Sequence, residues 1–315
     1  MNNQHFQLSA PQTSGKQTED QNSWGLNRLQ TQLKSFRNRI DFTLRNAFCW
    51  TWGDYLEKSL PEKHLNGTNL KNGHQTELLA TLTKKYFCEE SDGQKSLLFR
   101  SYRLYEVMNT LFWLDVIEKK EPGLFQICAG YQPNAQFQAL DVGAKNWSYV
   151  DALAAFIEYQ MKSQENRPWQ LTGVELDPHR RYVSLKTRGQ AARHFSAALP
   201  NTAYQVGNVL DWQTPVDLIT HFLPFVTVEP LLYWGLPAYF FQPQAILSHC
   251  INLLKSKGIL VIVNQGEEEY QEQQVLINKA LHDHTLSVSV LPLGKLENPF
   301  MDYVYPRYGV LVCKH

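Results

Sequence analysis

The sequence predicts an α/β protein: a seven-stranded, mostly parallel sheet with one antiparallel strand and helices on both faces, preceded by a helical extension. Three observations carry this. From Phe137 onward, apolar runs of strand length alternate with helical patterns, the rhythm of βα units and a parallel sheet. The first five runs are separated by segments long enough for a helix, whereas the last two are joined by a loop holding Pro299 and Pro306, so the chain closes on a hairpin. Before Phe137 the periodicity is helical only. The expected organisation is a disordered tail over 1–23, a helical extension over 24–136 and the α/β domain over 137–315.

Residues 1–23 are rich in Gln, Asn, Ser and Thr, too poor in apolar side chains to order alone. From Trp24, Leu26, Leu29, Leu33, Phe36, Ile40 and Leu44 recur at three or four residues and form one helical stripe. That stripe is expected to pack inward, leaving Arg28, Lys34, Arg37, Arg39 and Arg45 on a solvated face; a membrane or RNA surface is the alternative use of such a helix. Residues 51–75 carry Pro61, Gly67 and Gly73 and read as loops between short helices. Helices are expected over 76–87 and 97–120, the second stopped by Glu121-Pro122-Gly123, with 124–136 as a connection.

Strands are expected over 137–141, 171–175, 204–207, 216–221, 258–263, 286–291 and 308–313. Their ends are polar. The first ends Asp141-Val142-Gly143 and leads to a helix whose start carries an S-x-x-D box, Ser148 and Asp151. The second ends Glu175-Leu176-Asp177-Pro178, where Asp177 is placed to cap a helix opened by Pro178. The third ends Gly207-Asn208-Val209-Leu210-Asp211, the fourth Thr220-His221-Phe222-Leu223-Pro224-Phe225 and the fifth Asn264-Gln265-Gly266-Glu267. In open parallel sheets ligands sit outside these ends.

Composition narrows the classes. With 43% hydrophobic residues, Phe 16, Tyr 15 and Trp 8, the chain can bury a large core. Lys plus Arg equals Asp plus Glu at 30 each, so no global field recruits nucleic acid. Cys49, Cys88, Cys128, Cys250 and Cys313 are scattered without C-x-x-C, which points to reduced thiols and a cytoplasmic setting rather than disulfides or zinc. No metal-ligand spacing, no G-x-S-x-G and no P-loop is present, and no apolar run reaches membrane-spanning length.

The order of the strand ends resembles class I S-adenosylmethionine-dependent methyltransferases over about 137–313. ALDVGAKNW stands at that family's acidic-glycine turn, GVELD at its ribose-binding acid, VGNVLDW at its adenine-binding segment, and LLKSKGILVIVNQ at its fifth strand; a closing antiparallel strand is also its habit. The resemblance implies a Rossmann-like sheet, S-adenosyl-L-methionine as cofactor, and methyl transfer to an acceptor expected to be a small polar molecule. It places Asp141, Gly143 and Lys145 at the methionine end, Glu175 on the ribose, and Asn208 and Val209 at adenine. His221 and Glu267, with the Phe222 and Phe225 rings, are expected to flank the acceptor. Lys145 and Trp147 stand where the family has its second and third glycines. Two alternatives follow: a non-catalytic interaction module on the same fold, and an NAD-dependent oxidoreductase, against which the turn lacks G-x-G-x-x-G. The oligomeric state is open.

Overall fold

The computed structural model describes residues 20–48, 73–87, 103–130, 135–164, 166–182, 185–283, 287–301 and 303–315. The readings of 1–19 as a tail, of 51–72 as loops and short helices, and of the first turn of the 97–120 helix lie outside these residues, as do Cys49 and Cys88. The extension comprises α1 (Asp20–Phe48), α2 (Gly73–Tyr86), α3 (Arg103–Lys120) and α4 (Leu124–Gly130). The rest runs β1 (Phe137–Val142), α5 (Val150–Lys162), β2 (Trp169–Glu175), α6 (Arg188–Ser196), β3 (Thr202–Val206), β4 (Val216–Phe222), α7 (Val228–Tyr233), α8 (Pro243–Leu253), β5 (Leu254–Gln265), α9 (Gly266–Asp283), β6 (Val288–Leu296) and β7 (Arg307–Lys314). No helix among the described residues is long and apolar enough to cross a membrane.

The seven strands form one Rossmann-like sheet in the order β3-β2-β1-β4-β5-β7-β6. Strands β1 to β5 are parallel, and β7 runs antiparallel to both β5 and β6, so it is the one reversed strand. The interior strands are buried on both faces, and β5 therefore reads as an unbroken apolar run from Ile259 to Val263. Edge strand β6 holds Pro292, where a missing N–H does least harm, beside a register shift.

Side chains alternate between two cores. One face packs Ala139, Leu218, Val261 and Leu311 against α2 to α6; the other packs Leu140, Ile219, Leu260 and Val310 against α8 and α9. The helices α2 to α4 thus extend the first core. A third cluster, Leu231, Leu232 and Leu236, receives Phe42 of α1.

Several expectations give way to the structure. Helix α1 begins at Asp20, inside the stretch expected to be tail, and it docks by its polar side. Asn38, Asp41 and Arg45 are buried, while Leu29, Leu33, Phe36 and Ile40 are exposed. Periodicity fixes a stripe but not which side faces the protein, and here Arg45 finds Asp177, Asp41 and the Gly235 carbonyl. Consequently Asp177 caps no helix. Residues after Pro178 form a turn and a bridge between Arg181 and Thr187, and α6 starts at Arg188 under a capping box made by Thr187 and Gln190. The Ser148–Asp151 box is also unmade: α5 follows Tyr149 without a side-chain cap, and Asp151 pairs with Arg103 instead. Residues 124–130, expected as connection, form α4.

Candidate functional site

The strand order reverses between β1 and β4, so their neighbouring connections leave in opposite directions, the point of an open α/β sheet outside which ligands sit. Asp141 stands opposite Thr220 in the parallel register. Its Oδ1 accepts from the Thr220 hydroxyl at 2.5 Å and its Oδ2 from the Tyr149 hydroxyl at 2.9 Å. Burial raises its carboxyl to about 7, against the hydrogen bonds of Thr220 and Tyr149, which favour the charge. The Trp147 indole N–H lies beside it, outside hydrogen-bond geometry.

The turn after β1 has an alternating backbone. Gly143, Lys145 and Trp147 have φ of 74°, 55° and 53°, the left-handed region that costs a side-chain-bearing residue roughly 1–2 kcal/mol. Interactions on either side hold the strain in place. The Lys145 N–H donates to Glu175 Oε2 at 2.7 Å, and its carbonyl accepts from the Tyr204 hydroxyl at 2.9 Å. The Trp147 ring is fully buried against β2, where residue 173 is glycine.

Glu175 ends β2 and ties two loops together: its other oxygen accepts from the Asp177 N–H at 2.7 Å. Burial raises its pKa, while the Arg188 charge and the two backbone donors pull it down. Trp234 joins this cluster, with Lys145 Nζ 4.3 Å and the Arg188 guanidinium 5.0 Å from its ring centre, and with its carbonyl bound by Arg180. The Arg45 guanidinium grips Asp177 at 3.2 and 3.0 Å, so α1 and the segment after α7 close over the tip of β2.

Asn208 caps a 3-10 turn, its Oδ1 accepting from the Leu210 N–H at 3.1 Å, and Val209 packs into the core against α8. Alternation on β4 sends His221 and Phe222 to opposite faces. Phe222 meets Tyr149 and Trp113, with ring centres 5.5 and 6.1 Å away. His221 lines a pocket of about 60 Å³ with Phe225, Phe240, Gln242 and Gln273, room for roughly four waters. Phe222 and Phe225, expected together beside the acceptor, therefore lie in different surroundings. Burial pushes His221 down to about 4. Glu267 is exposed in the first turn of α9, where Glu269 accepts the Gln265 N–H. Asn264 is fully buried with neither amide atom hydrogen-bonded.

Sequence reasoning brought Asp141, Gly143, Lys145 and Glu175 to one place, and the structure joins them through hydrogen bonds or the turn. It gave Thr220 no role beyond its place at a polar strand end, and it missed Tyr149, Trp234 and Arg188. One signal was present: a glycine inside a strand marks a close approach, and Gly173 is where Trp147 lands.

No protein-family model matches the chain, and no curated protein does. Solved structures are similar to it at low identity. The magnesium protoporphyrin IX methyltransferase ChlM from Synechocystis PCC 6803, solved with bound SAM, is 11% identical over 75% of this chain and 97% of its own, at a TM-score of 0.39. The plantazolicin methyltransferase BpumL, in complex with SAH, is 15% identical over 77% and 98%, at 0.38. The N-methyltransferase NodS from Bradyrhizobium japonicum WM9 is 10% identical over 64% and 97%, at 0.36. Each of the three is a methyltransferase, the class of protein that the strand-end motifs of this chain resemble.

Proposed function

We propose that the chain binds S-adenosyl-L-methionine across the carboxyl ends of β1 to β3 and transfers its methyl group to an acceptor approaching from the tip of β4. The observation that carries this reading is the Asp141–Thr220 contact at the reversal of strand order, where open α/β sheets take their ligands. Room for the group supports it. A β-carbon at Gly143, Gly207 or Gly266 would meet no atom within 4 Å, so the backbone is open at these three glycines, which follow β1, β3 and β5. Each Glu175 oxygen serves one backbone donor and a carboxylate has about four acceptor sites; Glu175 is buried, so ribose hydroxyls reach the remaining positions once the segment carrying Trp234 moves aside.

In this reading Gly143 lets the main chain approach the methionine end, Lys145 pairs with its carboxylate, and Asn208 and Val209 face adenine. When bound, the cofactor supplies a methyl group already activated on a positively charged sulfur. The chain contributes alignment and exclusion of water. His221, neutral at pH 7 in its apolar pocket, accepts a hydrogen bond from the acceptor, and Glu267 approaches from the rim. The acceptor in this reading is a small polar molecule, of which a pocket of about 60 Å³ admits one end.

Calorimetric titration with S-adenosylmethionine, S-adenosylhomocysteine and NAD tests the proposal. The first two are expected to bind and NAD is not. Glu175→Gln keeps an acceptor for one loop N–H but removes the charge, and should weaken binding by about 1.5–3 kcal/mol. Unchanged affinity in a folded variant would falsify the ribose assignment. A second reading has its own observation: Glu175 is satisfied within the chain and Trp147 is packed beneath the turn, so the site is complete without a ligand. The domain is then a non-catalytic interaction module, and none of the three compounds gives heat.

A further inference from the structure

Helix α1 is docked with its amphipathicity reversed, and the reversal is locked. On the inner side Asn38 Nδ2 donates to the carbonyls of Leu232 and Leu236, both at 2.9 Å, and Ser35 Oγ accepts from the Ala238 N–H at 2.9 Å. Arg45, with no exposed surface, holds Asp177 and Asp41. Rolling the helix to bury its apolar stripe would carry Arg45 out to solvent and leave Asp177 buried without that cation. Outside, Leu29, Leu33, Phe36 and Ile40 follow the i, i+4, i+7, i+11 spacing of one face and are 54%, 60%, 64% and 44% exposed.

The flanks of that stripe have one sign. Arg28, Lys34, Arg37 and Arg39 are exposed, and the only acid between residues 28 and 48 is the buried Asp41. Two exposed tyrosines stand beside the helix: Tyr233, whose ring lies 5.6 Å from Lys34 Nζ, and Tyr239, whose hydroxyl feels Arg39. An apolar stripe edged by long basic side chains and tyrosines is the pattern of a helix lying in a membrane–water interface. A second copy would set like charges against each other along the same stripe, and nucleic acid would leave the stripe wet.

We infer that the outer face of α1 docks the protein on a lipid surface bearing anionic headgroups, with Leu33 and Phe36 in the acyl boundary and the basic flanks on the headgroups.

The test is sedimentation of the full chain with vesicles of phosphatidylcholine alone or mixed with phosphatidylglycerol. Binding is expected to the mixed vesicles and to fall as salt is raised. Arg37→Gln with Arg39→Gln should lower the bound-to-free ratio by about 25-fold, taking about fivefold for each basic residue at an anionic surface. Leu33→Glu with Phe36→Glu should lower it on the order of 100-fold, since two buried apolar side chains are lost. All four positions are exposed, and far-UV circular dichroism with the unfolding midpoint verifies that each variant remains folded. Three results overturn the inference: no binding to mixed vesicles, equal binding to neutral ones, or a wild-type dimer that Leu33→Glu with Phe36→Glu splits, which makes the stripe an interface between copies.

Discussion

The Trp147 ring lies 2.7 Å from the point where a side chain at Gly173 would begin. No real β-carbon tolerates that distance, and the ring cannot retreat, because it is fully buried and its backbone is held at φ 53°. The two positions form one packing unit across β1 and β2. Gly173→Ala should therefore destabilise by about 1–3 kcal/mol, the range for overpacking. In a Trp147→Leu background the same change should cost much less, so a urea-denaturation double-mutant cycle returns a favourable coupling. Additive losses would separate the two residues.

Lys145 invites a paired comparison. Its φ of 55° suits glycine better than any residue with a β-carbon. Lys145→Gly should leave the fold as stable as wild type or up to about 1 kcal/mol more stable, whereas Lys145→Ala keeps the strain and loses the stacking on Trp234. If Lys145→Gly binds S-adenosylmethionine and 5′-methylthioadenosine in the wild-type ratio, the lysine does not pair with the methionine carboxylate. Calorimetry gives that ratio.

Arg45 is the charge to remove in α1. Arg45→Met leaves Asp41 and Asp177 buried without their shared cation, a loss expected at about 3–5 kcal/mol. Replacing all three with apolar residues should recover much of it. Urea midpoints for the single and triple variants decide the matter; a neutral Arg45→Met would mean that the ion cluster contributes nothing.

Asp141, which is buried, and His221, which is half-buried on the other face of the sheet, give opposite dependences on pH. Asp141 titrates near 7 in the folded protein, above its unfolded value of about 3.9. Its contribution is complete below pH 4 and is lost as pH rises through 7. His221 is pushed down to about 4 from about 6.5, so its contribution is present above 6.5 and lost as pH falls through 4. Relative to wild type, Asp141→Asn should gain stability between pH 4 and 7, and His221→Gln should gain it as pH drops over the same interval. Thermal midpoints at pH 4.5 and 7.5 should move in opposite senses for the two variants; parallel movement would contradict the direction of one of the two shifts.

The sheet was legible because each interior strand is an apolar run closed by a polar residue. Asp141, Glu175 and Asn264 end such runs, and chain order alone gave the five βα units and the hairpin. The docking of α1 was not. Its stripe is visible at three- and four-residue spacing, but the partners that decide its orientation, Asp177 and the carbonyls of Leu232, Leu236 and Gly235, lie far away in sequence. The same gap hid Asp177, whose position before Pro178 reads as a cap until Arg45 is known to hold it. Trp147 was visible only as a departure from glycine. Its partner Gly173 was printed in the next strand, and no local rule links them.

Strand β7 lies between β5 and β6 although it follows both in the chain. During synthesis α9 and β6 therefore emerge before the strand that will hold β6 exists. Until Arg307–Lys314 arrives, β5 presents the bare edge of its most apolar run, Ile259 to Val263, to whatever else offers a strand. Late arrival of an interior strand makes the stalled or clipped chain, rather than the finished fold, the form of this protein most prone to aggregate.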